Sequence, residues 1–247
     1  MTAQSKSTTA RGSKAPELAE ILPPKNDVVF RRLFADPENA RLVQGFLEAV
    51  LDLPAGEYAS ITIRTPKSAP RRKNGKSAVV AIDIVTKSEK AVHVEVQVVN
   101  GDSSVRDRIA FRTPQLNSEE LETITAYYFI PKAISILIAD CRLLEENDEY
   151  FNRFRYYNRK NGVLLTDRLE IDVLESPKLP KENDNTLLWQ WVKFFGSERK
   201  EDFDILEQTG APVIREAVAT LKAVSADKKL RRVYAARAES AKDASPR

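Results

Sequence analysis

Between residues 77 and 100, apolar side chains recur at every second position. Val80, Ile82 and Ile84 alternate with Ala81 and Asp83, and Val92, Val94, Val96 and Val98 alternate with His93, Glu95 and Gln97. Period two marks a strand with one buried face, so this stretch predicts strands over 77–87 and 91–100 joined by the turn Ser88-Glu89-Lys90. Residues 58–65 are similarly rich in β-branched side chains and predict an earlier strand. Residues 132–140 contain the run AISILIA and read as a buried strand, too short to cross a bilayer. Two more strand-like segments, 150–158 and 163–174, flank Asn161-Gly162, a pair suited to a tight hairpin turn.

Helical spacing governs the rest. After Pro23-Pro24, Asn26 or Asp27 can cap a helix through 28–34. A second helix follows from Pro37, with Leu42, Val43, Phe46, Leu47, Val50 and Leu51 on its apolar side. A polar helix is expected over 103–112, before Pro114 interrupts it. Beyond Pro180 the pattern turns helical again. Leu187, Leu188, Trp191, Phe194 and Phe195 form one apolar face, and Ile214, Ala217, Val218 and Leu221 another. Those faces would either pack on the core or form an assembly surface. Residues 1–18 lack periodicity and read as a disordered tail. The expected organisation is therefore a tail (1–18), a domain (19–180) and a helical C-terminal extension (181–247), in an α/β or α+β chain.

Composition narrows the chemistry. The 247 residues include one cysteine, Cys141, and one histidine, His93. An internal disulfide, a multi-cysteine zinc site and a histidine cluster are all excluded. A bound metal would take carboxylates and backbone oxygens, the hard donors preferred by magnesium or manganese. The expected setting is cytoplasmic, without a membrane. The net charge is only +3, but Arg64, Lys67, Arg71, Arg72, Lys73 and Lys76 follow one another with no intervening acid. That run is either a solvated loop or a loop that contacts phosphates.

A three-residue turn would place Asp83 opposite Glu95 and Ala81 opposite Gln97. Asp83, His93, Glu95 and Gln97 would then share one face of the hairpin. A slip of two residues keeps that grouping, and a slip of one breaks it. Two opposed carboxylates repel, and a divalent cation between them removes the cost. Gln97 can orient water or phosphate but cannot serve as a base. The plainer alternative is an amphipathic hairpin whose polar face meets water.

An acid on one strand followed by Glu-x-Gln on the next resembles the PD-(D/E)XK nuclease superfamily. The segment LPPKNDVVFRRLF at 22–34 is similar to the opening signature of its transposase branch, the recombination-promoting nucleases. AIDIVTK at 81–87 and VEVQ at 94–97 resemble that branch's acidic and Glu-x-Gln strands, and LTDRLEIDVLESPKL at 165–179 its closing segment. The resemblance implies a restriction-endonuclease-like core, a central mixed sheet flanked by helices. It also implies transposase- or recombination-associated DNA endonuclease activity dependent on Mg2+ (or Mn2+). It would make Asp83 and Glu95 metal ligands and put Gln97 where the superfamily has lysine. Asp27 matches an acid of the opening motif, as a catalytic group or a helix cap. Arg71, Arg72 and Lys73 of the basic loop, and Arg108 and Arg112 of the polar helix, are the expected DNA contacts. The helix departs from such relatives in keeping a single aromatic, Phe111. The alternative function is a non-catalytic DNA- or protein-binding module on the same fold. DNA is the expected partner, and a homodimer is compatible with the chain.

Overall fold

The computed structural model describes residues 21–51, 58–64, 78–87, 90–99, 104–117 and 130–243. The expected tail and the basic loop with Arg71, Arg72 and Lys73 lie outside these residues. Within them the chain forms α1 (Asp27–Phe34), α2 (Ala40–Leu51), β1 (Tyr58–Arg64), β2 (Ala78–Thr86), β3 (Ala91–Val99), α3 (Val105–Arg112), β4 (Lys132–Ala139), β5 (Phe151–Tyr157) and β6 (Leu164–Glu175). Four helices follow: α4 (Leu187–Gly196), α5 (Lys200–Thr209), α6 (Pro212–Ala226) and α7 (Lys228–Asp243). The six strands make one mixed sheet in the order β1-β2-β3-β4-β6-β5. The β3–β4 and β4–β6 pairs are parallel, the others antiparallel. The β3-to-β4 connection contains α3, as a parallel pair requires a long crossover.

Local chemistry explains where the helices start. The Asn26 side chain accepts the Val28 amide at the head of α1. Thr186 does the same for Trp189 at the head of α4. Pro212 opens α6, where a missing N–H costs nothing. Pro114 falls in a short 3-10 turn, Thr113–Asn117, which ends the α-helical part of α3.

One side of the sheet carries the main core. Val80, Ile82, Ile84, Val92, Val94, Val96 and Val98 are all buried there, with Ile134, Ile136 and Ile138 of β4. Helices α1, α2, α4, α5 and α6 contribute to that same core, and α7 adds Leu230. Phe34, Phe46, Trp191 and Phe195 interlock edge-on or tilted, except that Trp191 and Phe195 stack, with centroids 5.5–6.0 Å apart. Trp191 Nε1 donates to the Gly45 carbonyl at 3.1 Å. A Cβ on Gly45 would lie 2.6 Å from Val213 Cγ2, so glycine lets α2 and α6 approach closely. The apolar faces around Trp191 and Leu221 are thus consumed inside the core. The other side of the sheet holds a smaller cluster, in which Val105 and Ile109 of α3 pack on Val99, Leu137, Ala139 and Val173.

Candidate active site

Three rows of cross-strand partners cross that second side. The first runs Thr62, Asp83, His93, Ala133 and Leu169. The second runs Arg64, Ala81, Glu95, Ser135, Ile171 and Phe154. The third runs Val79, Gln97, Leu137, Val173 and Asn152. Asp83, His93, Glu95 and Gln97 therefore share a face, as the alternation predicts.

Their register differs from expectation by two residues. Asp83 lies opposite His93, not Glu95, and Gln97 lies opposite Val79. The loop explains it. Regular pairing ends at Val85 and Ala91, and the Thr86 hydroxyl closes the connection by accepting the Lys90 amide and donating to the Lys90 carbonyl. The turn thus spans more than three residues, and the direct pair of like charges does not occur. Asp83 and Glu95 are diagonal neighbours, with backbones roughly 7–8 Å apart.

Each carboxylate is held by an arginine. Arg64 of β1 donates to Asp83 Oδ1, and His93 Nδ1 lies 2.6 Å from the same oxygen. Arg64 also reaches His93 Nδ1 at 3.1 Å. Glu95 is only 2% exposed. Arg112 grips it in a fork, through Nε to both oxygens at 3.2 Å and Nη2 to Oε2 at 2.8 Å. Gln97 is buried beside them. Thr113, one residue after Arg112, donates to the Ser135 hydroxyl at 2.8 Å and so anchors the end of α3 over the Glu95 row.

The remaining expected residues fall elsewhere. Asn26, not Asp27, caps α1. Asp27 occupies the first helical position and is bonded to Arg237 of α7. Arg108 is half-buried on α3, and its neighbour Phe111 is 76% exposed.

Sequence reasoning missed a second ionic cluster on the core side of the sheet's far edge. Arg153 binds Asp172, its partner across β5–β6, at 2.9 Å and also donates to the Val50 carbonyl. Glu170 accepts from Arg155 at 2.6 Å and Lys132 at 2.9 Å. Burial pushes the fully enclosed Asp172 carboxyl up to about 6, against the pull of Arg153. Burial also acts to raise Glu170, but Lys132, Arg155 and Arg153 outweigh it and hold that carboxyl below its usual value. The signal was present: Arg153-x-Arg155 and Glu170-x-Asp172 alternate in step on either side of the Asn161-Gly162 turn.

The donor chemistry suits a hard divalent cation. Asp83 and Glu95 supply carboxylate oxygens from adjacent strands, and Gln97 adds an amide oxygen. Among the described residues, no three His, Cys, Asp or Glu side chains are grouped to hold a metal. A cation between Asp83 and Glu95 would have to compete with Arg64 and Arg112. No described helix is long and apolar enough to cross a membrane.

A mixed sheet with helices on both sides and an acid/Glu-x-Gln hairpin at its centre defines a PD-(D/E)XK nuclease-like fold. The family described as PD-(D/E)XK nuclease family transposase matches residues 24–246, and the chain belongs to it. The match continues through the C-terminal helices, well past Pro180. No curated protein and no solved structure matches the chain. Nucleases of the PD-(D/E)XK type generally use divalent metal ions.

Proposed function

We propose that the protein is a DNA endonuclease of transposition or recombination that hydrolyses phosphodiester bonds with Mg2+ or Mn2+. The observation that carries this reading is the convergence of Asp83, Glu95 and Gln97 on one face of the β2–β3 hairpin, in a chain of this family. Asp83 and Glu95 would hold the cation. When bound, it would polarise the phosphate and lower the pKa of a water. The Gln97 amide would orient the attacking water without taking its proton. Arg112, released from Glu95, would donate its planar fork to phosphate oxygens. The water oxygen forms a bond to phosphorus as its proton passes to bulk solvent, the bond from phosphorus to the leaving sugar oxygen breaks, and that oxygen takes a proton from solvent water. Cytoplasmic DNA is the substrate this reading assigns.

The test is supercoiled plasmid incubated with the purified chain and Mg2+ or Mn2+, beside Asp83→Ala and an EDTA control. Nicking or linearisation that needs both the metal and Asp83 is the expected result. One feature favours a second reading, a DNA-binding module without turnover: both carboxylates are already neutralised by arginine. A folded protein that retards DNA on a gel but leaves it uncut under every metal would establish that alternative.

A further inference from the structure

The β5–β6 hairpin exposes aromatic and aliphatic side chains that the nuclease reading leaves unused. Phe154 is 45% exposed and Tyr156 46%, and Tyr157, Val163, Leu164 and Leu165 are exposed beyond them. Strand β6 pairs with β4 only from Leu169 onward. Its first residues, with the end of β5, therefore project past the sheet as a two-stranded ribbon turned at Gly162, where φ is +69°.

Phe154 ends the second row described above, on the same face as Glu95 and Arg112. Phe154, Tyr156, Leu169, Ile171 and Thr113 line an open groove of about 180 Å³, with the Arg155–Glu170 ion pair in its wall. Three strand spacings separate Phe154 from Glu95, about 14 Å along the sheet surface. Arg153 and Arg155 are paired with Asp172 and Glu170, and beyond them the hairpin carries Arg159, Lys160 and Arg168 against one acid, Asp167. Arg159 and Lys160 are exposed at the ribbon's tip.

The geometry points to a stacking platform: Phe154 and Tyr156 receive an unpaired base of a DNA strand that continues to the Asp83–Glu95 face, while Arg159 and Lys160 meet its phosphates. The favoured substrate is DNA with a single-stranded segment beside the cut. Two exposed rings next to basic residues are the elements that bind single strands: every base has a face to stack, and the backbone is a polyanion. Placement on the same face as the two carboxylates lets one strand meet both. The inference rests on the DNA-cleavage reading for the identity of the polymer.

Fluorescence anisotropy at two salt concentrations tests it, with a labelled single strand and its duplex. Wild type should prefer the single strand. The Phe154→Ala/Tyr156→Ala double variant should weaken single-strand binding by about 5- to 150-fold, leaving duplex binding and the salt slope unchanged. Phe154→Tyr/Tyr156→Phe, which keeps both rings, should restore it. Unchanged single-strand binding, or an equal loss for both DNA forms, overturns the platform. So does a wild-type dimer in sedimentation that the double alanine variant dissolves, since the face would then be a self-interface. The plasmid assay separates the two proposals. Metal-dependent nicking with no aromatic dependence in binding removes only the platform. Single-strand preference with full aromatic dependence but no nicking removes only the cleavage.

Discussion

The two sides of the sheet are built from the same strands and do different work. Strand β3 sends Val92, Val94, Val96 and Val98 into a core to which six helices contribute. It sends His93, Glu95 and Gln97 to a side covered mainly by α3. On the first side, side chains interlock and little is polar until the far edge. On the second, charged groups are held by arginines. Stability is concentrated where chemistry is absent. The second side can enclose arginine-paired acids because the opposite side supplies the folding free energy.

Breaking the first side should have the largest effect. Trp191→Ala removes a fully buried ring and its bond to Gly45, and should cost about 3–5 kcal/mol in denaturant unfolding. A small loss there would mean that the helices do not seal the core. On the second side, Asp83→Asn should cut plasmid nicking by about 100- to 1000-fold, in line with losing several kcal/mol of charge stabilisation. Its unfolding midpoint should barely move, because the Arg64–Asp83 pair is partly solvated. Unfolding of that variant would erase the division of labour between the sides.

Asp172 is an acid on the core side. Its folded-state value of about 6 lies above the value of about 3.9 for an unfolded aspartate. The folded chain therefore holds that proton more tightly. The stabilisation is complete below about pH 4 and is lost as pH rises through 6. Relative to Asp172→Asn, wild type should lose about 2–3 kcal/mol over that interval, read from unfolding curves at each pH. A flat difference would show that Arg153 fully compensates burial. The smallest effect expected is that of Asn26→Ala, about 1 kcal/mol from the lost cap of α1, with nicking unchanged.

Much of this arrangement was legible in the chain. Period two in β2 and β3 located the hairpin and grouped its polar residues, because that grouping survives an even slip. The register itself was not legible. It depends on the Thr86 hydroxyl bonding to Lys90 across the loop, which no hydrophobic pattern encodes. Arg112 was visible as a basic residue, but its grip on Glu95 is a contact between separate elements that only the packing of α3 creates. The C-terminal helices were recognisable from their apolar faces. Their destination, around Phe34 and Phe46, could not be read from spacing, since an amphipathic face does not name its partner.

That destination bears on how the protein is made. The aromatic faces of α1 and α2 emerge from the ribosome long before Trp191, Phe195 and Leu221, which cover them. At a synthesis rate of about 5–20 residues per second, roughly 10–35 s separate Phe46 from the end of α6. Throughout that interval Phe34 and Phe46 have only their own two helices and the sheet to pack on, without the rings of Trp191 and Phe195 that later close over them.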